Sequence, residues 1–211
     1  MVRSRKAKQE FLIRGLVSLK ALNHNERCKE CKTAVLSLLE SLFGEVKKNY
    51  SLPLGSKPEF FEGNRYYPVL KGIFNHLQKS RGHQQFVRSP RLPNVDFFVP
   101  NPGFIVEFDE GQHFTEQRMI SLKDYPADLE LGYDRDLWID RCRMLHRRDN
   151  DPPFRDEQRA WYDTLRDFAP AILNLRPTVR LFSKARIWCK LNHEDAKDVA
   201  TFKEELFKER Q

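Results

Sequence analysis

The chain has 211 residues, 40 % of them apolar, and a net charge of +7 from 37 Lys and Arg against 30 Asp and Glu. That length fits one domain with a sizeable core, and the apolar share excludes a disordered chain. No apolar run approaches the ~20 residues that cross a membrane. Four cysteines are too few for a disulfide scaffold, which points to a reducing, cytoplasmic setting.

In chain order, residues 5–22 read as a basic amphipathic helix, with Phe11, Leu12, Leu16, Leu19 and Leu22 at helical spacing, not as a secretory signal. A second helix covers about 29–43, with Val35, Leu38, Leu39 and Leu42 on one side and Gly44 at its end. Residues 46–52 suit a strand, and 55–66 suit a loop. A third helix carries Val69, Leu70, Ile73, Phe74 and Leu77 and closes at Gly82, before an expected strand at 84–88. Residues 94–99 and 104–109 are β-rich runs around Pro100-Asn101-Pro102-Gly103, the pattern of a hairpin. Residues 115–132 look irregular. Helices are expected at 133–147 and about 155–168, and strands at 178–182 and 186–190. The chain closes on a charged helix, about 194–210, with Val199, Phe202 and Leu206 facing inward. Strands alternating with helices imply an α/β fold, a mixed sheet flanked by helices. No boundary divides residues 1–211; about 1–28 read as a helical extension.

The hairpin carries the chemistry. If its loop sets the register, Val99 opposes Phe104, Asp96 opposes Glu107, and Asn94 opposes Asp109. Alternation then puts Asp96, Glu107 and Asp109 on one face. Opposed Cβ atoms lie about 4.5–5.5 Å apart, so like charges there repel. Among apolar neighbours the pair needs a shared proton or a cation. Oxygen ligands on a rigid hairpin suit Mg²⁺ first and Mn²⁺ second. The alternatives are a register off by one, or a nearby Arg that neutralises the pair.

Pro93-x-x-Asp96 followed by Glu107-Phe108-Asp109 resembles the motif of the PD-(D/E)xK nuclease superfamily, with its restriction-endonuclease-like core. The run from Val95 through Gly111-Gln112-His113 is similar to the branch related to very-short-patch repair endonucleases. Tyr133-Asp134-Arg135 and the later Val179-Arg180-Leu181-Phe182 also fit that branch. The resemblance implies phosphodiester hydrolysis in DNA. Asp96 and Glu107 would be the metal ligands, with the Phe108 carbonyl as a third. It also implies a further Glu from the preceding helix, Glu40 or Glu45. Asp109 stands where the motif usually has Lys, and residues 53–90 are an insertion. Asp109 is then expected to hold a metal-bound water or a second cation. Gln112 and His113 join the catalytic candidates, His113 to orient or protonate a group at the phosphate.

Other residues compete for roles. Cys28-x-x-Cys31 is half a zinc signature, and Cys142 with His146 or Cys189 with His193 could complete it. Cys28, Cys31 and Cys142 also continue apolar helical rows, which favours buried thiols and no zinc. Arg141, Arg143, Arg147 and Arg148 form a basic helix end, and Arg155, Arg159 and Arg166 a stripe, both suited to DNA phosphates. In the stripe, intrahelical pairing with Asp163 is an equally good account. The leading expectation is a Mg²⁺-dependent DNA endonuclease of restriction or repair, with no membrane contact and with a homodimer open to it. The alternatives are a non-catalytic nucleic-acid-binding module on the same fold and a partner-binding protein with a basic surface.

Overall fold

A computed structural model describes residues 23–207; the expected helix at 5–22 and the last residues of the closing helix lie outside them. The helices are α1 (Lys29–Phe43), α2 (Tyr67–Arg81), α3 (Glu116–Lys123), α4 (Arg135–Leu145), α5 (Arg155–Leu173) and α6 (Ala196–Phe207). The strands are β1 (Lys47–Tyr50), β2 (Val95–Val99), β3 (Phe104–Asp109) and β4 (Arg176–Phe182), in the order β1-β2-β3-β4. β1, β2 and β3 form an antiparallel meander, and β4 returns parallel to β3. The result is an α/β fold with a mixed sheet.

The hairpin adopts the expected register, Val99 opposite Phe104 and Phe97 opposite Val106. Gly103 in its loop has φ +89°, a conformation that glycine takes without a Cβ clash. One sheet face presents Phe97, Phe104, Val106, Phe108 and Leu181 to α1 and α6, through Val35, Leu38, Leu39 and Phe202. The other face meets a core built from α2, α3, α4 and α5 around Leu70, Trp138, Trp161 and Phe168. β3 is buried along its whole length because β2 and β4 flank it and helices cover it.

Three expectations are corrected. Residues 84–88 form no strand: Phe86 is buried, and the Gln158 side chain, not a ladder, donates to its carbonyl at 2.8 Å. Residues 186–190 form no strand either; Trp188–Lys190 is a 3₁₀ turn, its indole N–H donating to the Phe182 and Ser183 carbonyls. Residues 115–132 contain α3, whose Thr115 side chain caps the Arg118 N–H. α3 buries Gln117, Arg118 and Ser121 beside Leu122, so its inner face has no apolar period.

Candidate active site

The β2–β3 ladder opens beyond Phe97 and Val106, and two carboxylates close the gap. The Asp96 N–H donates to Glu107 Oε1 at 3.2 Å, and the Phe108 N–H donates to Asp96 Oδ2 at 3.0 Å. Each acid thus satisfies a backbone donor of the opposite strand where strand pairing stops. Asp96 is half-buried, whereas Glu107 is 3 % exposed.

Two cations sit against the pair. Lys32, from the first turn of α1, donates to Asp96 Oδ1 at 2.9 Å and lies 3.6 Å from Glu110 Oε1. Arg166 Nε, from α5, lies 3.4 Å from Glu107 Oε1 and makes no hydrogen bond among the described residues. Burial pushes the Glu107 carboxyl up to about 7; Arg166 and Arg180 pull it down, and Asp96 pushes it up. Burial opposes the charge on Lys32, but Asp96 and Glu110 outweigh it and hold the ammonium above its ordinary range.

Asp109 has a different environment. Arg180 Nη1 donates to both of its oxygens, at 2.8 and 3.0 Å, and the Trp138 indole N–H to Oδ2 at 2.9 Å. It is fully buried. Its oxygens therefore hold a guanidinium and an indole, which corrects the expectation of a metal-bound water or a second cation there. Arg180 stands beside Glu107 in the β3–β4 register and also reaches Asp167 at 2.8 Å. Asp167 in turn accepts from Arg118, Tyr125 and Tyr133.

His113 closes a second path from the pair. Its Nδ1 is 2.8 Å from Asp163 Oδ2 and 3.7 Å from Asp109 Oδ1. Burial opposes a charged ring, but Asp163 and Asp109 prevail and raise His113 above its ordinary value. Asp163 also accepts from Arg166 at 3.1 Å, so Glu107, Arg166, Asp163 and His113 form one chain of contacts. Gln112 donates to Glu110 at 3.0 Å and accepts from Arg27 at 3.4 Å.

The structure brings Asp96, Glu107 and the Phe108 backbone together, with His113 linked through α5. It does not bring in the helix acids: Glu40 is exposed, and Glu45 pairs with Lys47 at 3.5 Å. Sequence reasoning missed Lys32 and Glu110; it allowed for an Arg beside the pair and for Arg166 pairing with Asp163, without joining the two. Glu110 is adjacent to the motif and could have been read. Lys32 sits one turn past Cys28, and its spacing carries no signal of what it meets.

Of the two accounts of the arginine stripe on α5, the pairing with Asp163 is present, through Arg166 at 3.1 Å. Arg166 is 9 % exposed and serves Glu107 and Asp163. Arg159 pairs with Asp149 at 2.9 Å and donates to the Gln112 carbonyl, and Arg155 donates to Gln158. The end of α4 is more open. Arg143, Arg147 and Arg148 are exposed, while Arg141 stacks over Trp138 and Phe182 at 4.2 and 4.8 Å. No helix among the described residues is long and apolar enough to cross a membrane. Comparison of the chain with protein-family models, with curated proteins and with solved structures returns no match.

Proposed function

We propose that this chain is a metal-dependent DNA endonuclease of restriction or repair, built on a restriction-endonuclease-like core. The observation that carries this reading is the Asp96–Glu107 pair at the opening of the hairpin ladder, with Lys32 delivered to it from α1. The order α1-β1-β2-β3, then α5 and a parallel β4, supports the same core. The four free thiols suit a cytoplasmic setting.

The donor chemistry fits a hard divalent cation. Burial is what raises the Glu107 carboxyl to about 7, and a cation between it and Asp96 would hold both acids ionised. Asp96, Glu107 and the Phe108 carbonyl would hold Mg²⁺ or Mn²⁺. When bound, the ion lowers the pKa of water and offsets charge on a phosphate. The chain's own groups supply the rest. Lys32 brings the positive charge that the missing motif lysine would otherwise bring. Asp163 holds His113 by Nδ1, which leaves Nε2 for a proton transfer or a phosphate contact. Arg143, Arg147 and Arg148 offer exposed charge to a DNA backbone.

Supercoiled plasmid tests the reading. The wild type should nick it with Mg²⁺ or Mn²⁺ and not in excess EDTA. Asp96→Asn and Glu107→Gln should each abolish nicking. Cleavage that persists in both variants, or in EDTA, overturns the proposal. A second reading, a DNA-binding module without turnover, rests on the neutralisation of the pair by Lys32 and Arg166. It predicts salt-sensitive binding to DNA with no nicking under any of these conditions.

A further inference from the structure

Away from the carboxylates, His24, Cys28, Cys31 and Cys189 bring one ligand atom each to a common point, all within 4.8 Å of one another. His24 Nε2 lies 3.3 Å from Cys31 Sγ and 3.5 Å from Cys189 Sγ. The edges of a tetrahedral zinc site are about 3.6 Å for N to S and about 3.8 Å for S to S, given Zn–N near 2.0–2.1 Å and Zn–S near 2.3 Å. The two His24–Cys distances match the N to S edge, and every other pair of ligand atoms lies within 4.8 Å, about 1 Å from the S to S edge.

Local structure explains the convergence. The Cys28 N–H donates to the Asn25 carbonyl at 3.1 Å, and the Cys31 N–H to the Cys28 carbonyl at 3.2 Å. These consecutive turns place His24, Cys28 and Cys31 on one side of the start of α1. Cys189 arrives from the 3₁₀ turn after β4, which is anchored by the buried Trp188 ring against Phe108 and Phe202. His193, the partner that spacing offered, is exposed, and Cys142 lies alone in the other core as a buried thiol.

We propose that His24, Cys28, Cys31 and Cys189 bind one structural Zn²⁺. Three thiolates and one imidazole are the borderline-soft donor set that selects zinc over Mg²⁺. Four protein ligands fill a tetrahedron and leave no position for water, so the site serves stability and not turnover. It joins the residues before α1 to the loop after β4. Between its ligands lies Glu26, which accepts the Gly111 N–H at 3.2 Å and pairs with Lys184 at 3.5 Å. The metal therefore secures the segment that rests on the Glu110–His113 turn. The assignment is independent of the nuclease reading.

The test is elemental analysis of protein purified without chelator and without a polyhistidine tag. The expected result is one zinc per chain, retained in Cys142→Ser and lost in Cys31→Ser and Cys189→Ser. Because either loss variant can fail to fold, wild-type protein stripped with a strong chelator is also titrated with Co²⁺. The expected spectrum is the intense visible absorption of a tetrahedral thiolate site, at one equivalent, and bleached by Zn²⁺. Stripping should lower Tm, and Zn²⁺ should restore it. Three results overturn the proposal: wild type that is metal-free and gives no such Co²⁺ spectrum, a full equivalent of zinc in a folded Cys31→Ser/Cys189→Ser variant, or a disulfide found within the cluster of the native protein.

Discussion

Lys32 of α1 and Asp96 of β2, 64 residues apart in the chain, meet at 2.9 Å. The contact puts a positive charge beside the carboxylate pair from a helix, while position 109 on β3 holds an acid. Lys32 is about one-third exposed, so as an ion pair it contributes only about 0–1 kcal/mol to stability. In the proposed nuclease it would stand beside a reacting phosphate, where a charge is worth far more. Lys32→Met should lower metal-dependent nicking about 100-fold or more while changing stability little. Plasmid nicking and urea unfolding on the same preparation check this. Unchanged nicking would confine Lys32 to a surface pair.

Asp109 should be a stability residue. Asp109→Ala leaves Arg180 buried with its Asp109 contacts gone, and removing one partner of a buried pair costs about 3–5 kcal/mol. The loss should appear in urea unfolding, with or without Mg²⁺. The indole N–H of Trp138 loses its acceptor in the same variant, so tryptophan emission should shift as well.

The His113–Asp163 contact sets a pH dependence. His113 is raised above 6.5 in the folded state. Its contribution is complete below the unfolded value and is lost as pH rises through the folded value. Asp163 is held well below 3.8, so its own contribution is lost only in strong acid, outside that window. The stability difference between wild type and His113→Gln should be largest near pH 5 and shrink towards pH 9. Denaturation curves across that range test it; a constant difference would mean that His113 does not gain a proton on folding.

The arginines should divide into two kinds. Neutralising Arg147 and Arg148 together should reduce the salt slope of DNA binding by about one to two units without loss of stability. Arg159→Gln should destabilise by about 1–3 kcal/mol, because Asp149 and the Gln112 carbonyl lose a donor, and leave the slope unchanged. Binding isotherms at several salt concentrations separate the two.

The hairpin was legible because its information is local. A Pro/Gly loop sets the turn, and alternating apolar residues allow one register. The helices at α1, α2, α4 and α5 were legible for the same reason, from apolar residues at helical spacing. α3 was not, because it buries Gln117, Arg118 and Ser121 against a polar network, and hydrophobic period is blind to such a face. Spacing on α5 located a stripe of arginines but not the side of the helix that meets protein. Of the two accounts open for Arg166, phosphate contact or pairing with Asp163, the pairing is the one seen, with Glu107 as a further partner that spacing could not supply. The convergence of Cys189 with the residues before α1 depends on the whole sheet lying between them, so no window of sequence contains it.

The carboxylates at the mouth of the hairpin also serve as its last two backbone partners. An amide oxygen accepts an N–H as a carboxylate oxygen does. Asparagine at 96 with glutamine at 107 would keep the seam closed and discard its charge, whereas alanine would leave two main-chain donors unanswered. On the proposed reading, those two replacements discard metal binding while the backbone donors of the seam stay answered, and what they give up in the fold is the charge that Glu107 sets against Arg166.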